Sequence, residues 1–291
     1  MRTIRIIPRL DIKGPNLVKG IHLEGLRVLG KPNEFAKYYY QAEADELIYV
    51  DIVASLYGRN SLLSIIEKTA KEVFIPLTVG GGLRTIDDIT AVLRAGADKV
   101  SINTAAVRNP EFIRQAARKF GSSTIVVSIE AIKQSNGKYL AYTDNGREYT
   151  GLDVFEWAVH VFKLGAGEIL LTSVDREGTG LGYDIELIRR VAKSVSIPVI
   201  ACGGAGSPED IKDVILKGEV DAVAISSMIH YDVVRNKPFD GYFSQEGNIE
   251  FLKRKETFSK ISPASLQTIK SFLTEKGIPS RFSLKSKVGY V

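Results

Sequence analysis

Ile75-Pro-Leu-Thr-Val-Gly-Gly-Gly82 recurs in altered form as Ile197-Pro-Val-Ile-Ala-Cys-Gly-Gly204. Each copy is a short apolar run that ends in a glycine-rich turn and feeds an amphipathic stretch, Thr85–Ala95 in one case and Pro208–Lys217 in the other. The flanking sequence repeats as well. Ala97-Asp-Lys-Val-Ser-Ile-Asn103 corresponds to Val220-Asp-Ala-Val-Ala-Ile-Ser226, and Asp45-Glu-Leu-Ile-Tyr-Val-Asp51 to Gly167-Glu-Ile-Leu-Leu-Thr-Ser173. Arg9-Leu-Asp-Ile-Lys13 faces Ser128-Ile-Glu-Ala-Ile-Lys133. The first pair is offset by 122 residues and the carboxylates Asp11 and Glu130 by 119. Solenoid units repeat every roughly 20–50 residues, so a period this long means a duplicated half-domain.

Working outward, eight apolar runs rich in Ile and Val are predicted as strands: Ile4–Leu10, Glu46–Ile52, Ile75–Val79, Lys99–Ile102, Thr124–Ile129, Glu168–Ser173, Pro198–Ala201 and Ala222–Ile225. Helical patterns lie between them, at Asn33–Ala44, Asn60–Glu72, Thr85–Ala95, Pro110–Phe120, Asp153–Leu164, Asp184–Ser194 and Pro208–Lys217. Continuous β-branched runs belong to strands covered by helices on both sides, as in a parallel sheet. Eight βα units in a chain of 291 residues predict a single α/β domain, a (β/α)8 TIM barrel with duplicated half-barrels. Two segments fall outside the pattern. Gln134–Thr150 is polar and reads as a hairpin or loop after strand five, and Asp232–Pro263 reads as an insertion after strand eight. A last helix near Ser265–Lys276 and a loose tail, Ser280–Val291, complete the chain.

With 44% hydrophobic and 25% charged residues, the chain has enough apolar content for a packed core, which excludes a disordered class. A single cysteine, Cys202, excludes an intrachain disulfide and points to the reducing cytoplasm. The start, Met1 to Pro8, reads as a first strand and not as a signal peptide, and no run approaches the roughly 18 apolar residues of a membrane span. The net charge of +5 owes much to Lys253, Arg254, Lys255, Lys285 and Lys287, which read as solvated surface, so neither nucleic acid nor membrane is an expected partner. His22 and His230 lack a third ligand at metal spacing, and no metal or cofactor is expected. Trp157 and Cys202 read as packing residues.

The chemistry is expected at the C-terminal ends of the strands. Gly80–Gly82 and Gly203–Gly206 each end a strand and precede a helix. Glycine lets backbone N–H groups approach a phosphate, and the helix N-terminus favours its charge. Asn103-Thr104 and Ser226-Ser227, one unit later, can add donors. The bland alternative is a pair of tight turns. The matched placement favours two phosphate sites, built around Gly81, Gly82, Gly203 and Gly204, and hence an elongated small-molecule ligand with a phosphate at each end. Asp11 and Glu130 end strands one and five and face each other by the duplication, as an acid and a base would. The alternative is strand-end solvation or a salt bridge to Lys13, Lys19 or Lys133. Asp51, Asp175 and Glu177 could bind sugar hydroxyls, and Lys19 could order the first loop over a phosphate. At the other end, Arg5, Glu46, Lys99 and Glu168 begin strands one, two, four and six, which by itself suggests a structural salt-bridge ring.

Together these residues resemble the cyclase-subunit family of imidazole glycerol phosphate synthase, of histidine biosynthesis. The resemblance spans about residues 1–230 and resumes at the last helix. It is carried by Val18-Lys-Gly20, Asp51-Ile-Val-Ala-Ser55, Thr78-Val-Gly-Gly-Gly82, Asp98-Lys-Val-Ser-Ile-Asn-Thr-Ala-Ala106, Gly165-Ala-Gly-Glu-Ile-Leu-Leu-Thr-Ser173 and Ala201-Cys-Gly-Gly-Ala-Gly206. It implies a two-phosphate substrate, an aminoimidazole carboxamide ribonucleotide linked to phosphoribulose. It also implies ammonia supplied by a glutaminase partner docked on the bottom face as a heterodimer. Asp11 would be an acid/base, Glu130 would hold the place of a second catalytic aspartate, and Thr172 would join the substrate residues. The bottom ring becomes an ammonia gate and Asp98 a docking residue. Four features depart from the family: Glu130 and Glu177 each replace an aspartate, Arg9 stands where a small residue or cysteine is usual, and 232–263 is inserted. All four touch the substrate end. They leave room for two other functions, a paralogous ammonia-delivering subunit for acetamidino modification of a surface-polysaccharide sugar, and a non-catalytic scaffold that activates a glutaminase.

Overall fold

β-Branched side chains fit the pleated, doubly covered surface of a parallel sheet, and the apolar runs form strands in the computed structural model, which describes residues 2–54, 62–236 and 260–281. The barrel strands are β1 (Arg5–Lys13), β4 (Leu47–Asp51), β5 (Leu77–Gly80), β6 (Lys99–Ile102), β7 (Ile125–Lys133), β10 (Glu168–Ser173), β11 (Val199–Cys202) and β12 (Ala222–Ile225). They pair in that order, all parallel. The circle closes where β12 pairs with β1, with Arg5 opposite Ala222. This is the expected (β/α)8 barrel. Two antiparallel hairpins extend the sheet at the C-terminal end: β2 (Asn16–Ile21) with β3 (Glu24–Gly30), and β8 (Tyr139–Thr143) with β9 (Glu148–Asp153). The second hairpin is what Gln134–Thr150 forms.

The outer core lies between strands and helices, and a smaller inner cluster fills the barrel. Ile7, Ile48, Val126, Leu170 and Ile200 point inward there with Ala222 and Ala224. Burying each large aliphatic side chain stabilises the fold by about 1.5–3 kcal/mol. The duplication reaches down to local chemistry. Helices α3 (Ile86–Arg94) and α8 (Pro208–Gly218) hold equivalent places, and both begin with a capping box, Thr85 with Asp88 and Ser207 with Asp210. At the opposite end three aspartates each clamp the neighbouring strand. Asp45 accepts from the Ile6 amide at 2.7 Å, Asp98 from Leu77 at 2.9 Å and Asp221 from Val199 at 3.3 Å.

The structure differs from the sequence reading in three places. The first loop, which Lys19 was expected to order, is a hairpin, and Lys19 lies within its strand β2 with its side chain 1% exposed. Asp232–Asn236 belong to helix α9 (Ser227–Asn236), while residues 237–259, which hold most of the segment read as an insertion, lie outside the described residues. Ser280 makes a parallel bridge with Ile4, so the expected tail is fixed at its first residue, and 282–291 lie outside the described residues. The basic residues at 253–255, 285 and 287 are outside them too. The expected helix over Asn60–Glu72 is described as α2 (Leu63–Ala70). Among the described residues no helix is long and apolar enough to cross a membrane.

Candidate active site

Both glycine-rich turns require glycine. Gly81 has φ +96°, and a Cβ there would lie 2.2 Å from the Asp51 carbonyl oxygen. Gly204 has φ +115°, and its Cβ would lie 2.1 Å from the Gly182 oxygen. In space the two turns differ. A cavity of about 250 Å³ opens at the first, lined by Asp51, Gly81, Gly82, Asn103, Thr104 and Glu130, and also by Arg9. The second, bounded by Glu177, Gly203, Gly204, Ser226 and Ser227, encloses about 10 Å³, roughly the space of one water molecule. The backbone of the second turn is in place, with other groups filling the room beside it.

Those groups form a buried ionic chain. Arg9 Nε donates to Asp11 Oδ1 at 2.9 Å, Lys19 Nζ donates to Asp11 Oδ2 at 3.2 Å, and Lys19 also pairs closely with Glu177. Arg9 Nη1 reaches Thr172 Oγ1 at 3.1 Å and Cys202 Sγ at 3.4 Å. Buried charges survive when each is matched and hydrogen-bonded, and this chain alternates two cations with two carboxylates. Burial works against the Asp11 carboxylate, yet Arg9 and Lys19 outweigh it and hold its pKa below the ordinary value. The Arg9 backbone is fixed too. Its carbonyl accepts from Ser226 Oγ at 2.8 Å and from His230 Nε2 at 2.9 Å. A carbonyl only accepts, so Nε2 carries the proton, and Nδ1 takes the Tyr39 hydroxyl hydrogen bond at 2.5 Å. Burial, with help from Lys19, pushes the His230 pKa down to about 3 and keeps the ring neutral.

Glu130 is treated differently by its surroundings. It sits on β7 at the cavity wall, 8% exposed, and its Oε2 accepts the Gly146 amide at 2.7 Å. Burial raises its pKa to about 7, against the opposing pull of Gly146, Arg9 and Asn103. A carboxyl titrating near neutrality can give and take protons. Asp51 is buried at the same wall and accepts from the Val53 amide at 3.1 Å. Asn103 donates to the Tyr142 carbonyl at 3.2 Å, and Thr104 touches Asp144 at 3.5 Å. The cavity also includes Arg84, Arg108 and Asn145, which the sequence reading missed. Arg84 could have been suspected from its place two residues beyond Gly82. Asn145 and Gly146 come from the hairpin turn, 16 residues from Glu130 in the case of Gly146, and carried no signal. Asp175 lies apart from the cavity and accepts the Lys133 amide at 2.7 Å. Among the described residues no group of three or more metal-ligating side chains occurs.

At the other end of the barrel the four predicted charges close a ring. Arg5 Nη1 is 2.8 Å from Glu46 and 3.1 Å from Glu168, and Lys99 Nζ is 3.1 Å from Glu46 and 2.9 Å from Glu168. Asp98 is exposed beside it, with one carboxylate oxygen held by the Leu77 amide. The apolar inner cluster separates this ring from Arg9 and the cavity.

A duplicated (β/α)8 barrel with an ionic ring at one end and paired glycine-rich turns at the other defines a class of biosynthetic barrels. The chain belongs to the histidine biosynthesis protein family, whose sequence pattern it matches over residues 5–235. It is 61% identical to the imidazole glycerol phosphate synthase subunit HisF of Legionella pneumophila over 210 residues, 72% of this chain and 99% of that protein. To the proteins of the same name from Alkaliphilus metalliredigens and Bacillus cereus it is 47% and 52% identical, over 80% and 78% of this chain and 93% and 90% of theirs. The family match stops one residue short of the end of α9, where the segment read as an insertion continues.

Proposed function

We propose that this chain is the cyclase-type subunit of an imidazole glycerol phosphate synthase. In this reading ammonia released by a glutaminase partner enters through the ring of Arg5, Glu46, Lys99 and Glu168. It then reacts with a two-phosphate ribulosyl aminoimidazole carboxamide to give imidazole glycerol phosphate and the aminoimidazole carboxamide ribotide. The observation that carries the reading is the pairing, on one barrel, of a closed four-charge ring at one end with a cavity at the other that holds a glycine cradle and a neutral-titrating carboxyl. Similarity to proteins named as HisF subunits supports it. The cradle at Gly81 and Gly82, with Asn103 and Thr104, takes one phosphate. The turn at Gly203 and Gly204, with Ser226 and Ser227, takes the other once Lys19 and Glu177 give way. Asp98 sits on the face where the partner docks.

The test is twofold: growth of a cyclase-deficient histidine auxotroph carrying this chain, and turnover of the ribulosyl substrate with ammonium salt by the purified chain. Growth and turnover are the expected results, and absence of both sinks the reading. A second reading is favoured by the second turn, which encloses only about 10 Å³. There the chain delivers ammonia to another acceptor, an acetamido sugar handled with a separate amidotransferase. Glutaminase stimulation without turnover of the ribulosyl substrate is its signature.

A further inference from the structure

Asp144, Asn145 and Gly146 lie in the turn between β8 and β9, and all three have left-handed backbone, with φ of +50°, +63° and +77°. Asn-Gly is an ordinary pair for a hairpin turn. A third left-handed residue beside it, one that carries a side chain, persists only where its surroundings hold it. Each residue of the turn grips a different part of the site. The Gly146 amide donates to Oε2 of Glu130 at 2.7 Å, and Asn145 Nδ2 donates to the Leu23 carbonyl of the β2–β3 hairpin at 3.1 Å. Asp144 faces helix α4 (Thr104–Arg108), which begins at the open cradle. Its amide donates to Thr104 Oγ1 at 3.4 Å, that hydroxyl donates back to Asp144 Oδ1 at 3.5 Å, and Oδ2 lies 3.5 Å from Arg108 Nη2. Asp144 is buried, and its Oδ2 accepts no hydrogen bond among the described residues. Such an oxygen is costly unless an opposite charge offsets it, and Arg108 is the cation at hand.

We propose that Asp144 is a positioning residue for Glu130: its hold on Thr104 and Arg108 sets the turn, and the turn presents the Gly146 amide to the carboxyl group. The effect on turnover rests on the cyclase reading; the geometry does not. Strand β7 fixes only the base of the Glu130 side chain, and the rotatable bonds beyond it cost entropy to order. The Gly146 amide fixes the far oxygen, and a small misplacement of an acid costs rate steeply. Thr104 and Arg108 also line the open cavity, so the wall that meets the ligand and the acid that acts on it are tied through one turn. The remaining groups around Glu130, Arg9 and Asn103, lie on other elements and are untouched by a change at Asp144.

The test uses the full chain, with amide hydrogen exchange at Gly146 followed by NMR beside turnover of the two-phosphate ribulosyl substrate with ammonium salt. Asp144→Gly keeps the left-handed backbone and removes the carboxylate. It is expected to speed exchange at Gly146 at least about tenfold while the barrel-strand amides stay protected, and to lower kcat at least about tenfold with a smaller change in KM. Asp144→Asn, which can still bond Thr104 through Oδ1, should recover part of both losses. Glu148→Gln removes only the outer neighbour of Arg108, 3.9 Å away, and should match the wild type in both. Unchanged exchange at Gly146 in Asp144→Gly, or faster exchange spread through the barrel strands, overturns the assignment, as does an unchanged kcat where the wild type is active. If Asp144→Gly does not fold, Arg108→Gln takes its place: faster exchange confined to the turn supports the assignment and unchanged exchange overturns it. If the wild type itself turns nothing over, the cyclase reading fails and exchange at Gly146 alone decides Asp144.

Discussion

The Gly146 amide donates a 2.7 Å hydrogen bond to Oε2 of Glu130, so the hairpin that follows β7 caps the acid that β7 presents. Burial lifts the Glu130 pKa from 4.5 to about 7, against the downward pull of that hydrogen bond. Below pH 4.5 both folded and unfolded chains hold this proton. Between 4.5 and 7 the unfolded chain has lost it and the folded chain keeps it. Stability from this group is thus complete at acid pH and is lost as pH rises through 7, by about 3 kcal/mol in all. Glu130→Gln is expected to flatten that slope. Urea denaturation should find it equal to the wild type near pH 4 and up to about 3 kcal/mol more stable at pH 8, with turnover lost.

Lys270 makes the converse prediction. Its ammonium, on helix α10 (Leu266–Glu275), has no exposed side-chain surface and binds the Glu43 carbonyl at 2.6 Å, Asp45 at 3.0 Å and the Arg281 carbonyl at 2.6 Å. Lys270→Met leaves Asp45 a buried charge without its cation, and about 3–5 kcal/mol of stability should go with it. Thermal unfolding checks this. A change under about 1 kcal/mol would mean that water replaces the ammonium.

Lys99 separates passage of ammonia from chemistry. Lys99→Met leaves Glu46 and Glu168 sharing Arg5 alone. Turnover driven by glutamine through a glutaminase partner is expected to change more than tenfold, while turnover with ammonium salt stays within about threefold. Equal effects on both would place the ring in folding alone.

Gly81→Ala tests the open cradle. It combines a left-handed φ of +96° with a contact of 2.2 Å to the Asp51 oxygen, so the turn must move. We expect about 2–3 kcal/mol of destabilisation and weaker binding of inorganic phosphate by calorimetry. Gly137→Ala is the control. It shares a positive φ of +81° but meets nothing within 4 Å, and should cost about 1 kcal/mol.

Much of the barrel was legible because each strand is covered on both sides and so reads as a short β-branched run. The ring was legible for a related reason. Alternation along a strand puts Arg5 on the same inward side as Ile7 and Arg9, so charges at strand starts converge. The salt bridge of Lys19 with Asp11 was one of the alternatives read from the sequence, but its pairing with Glu177 is set by tertiary structure. Asp11 is 8 residues away and Glu177 is 158, and a lysine between Val18 and Gly20 looks like a loop residue. Arg9 stood out as a departure, but its contacts with Thr172 and Cys202 span 163 and 193 residues. No local pattern announces that a cation there pairs with Asp11 and fills the room beside the second glycine turn. The duplication suggested equal roles for Asp11 and Glu130, and equal backbone geometry does not enforce equal solvation.

The unequal rooms beside the two glycine turns, about 250 Å³ and about 10 Å³, bear on how such a molecule changes over generations. A barrel made of two copies owns a spare of each part. Drift in one copy is sheltered while the other keeps its task, and a filled niche in one half is the trace that such shelter leaves behind. The older symmetry then persists in the main chain long after the side chains have divided the labour.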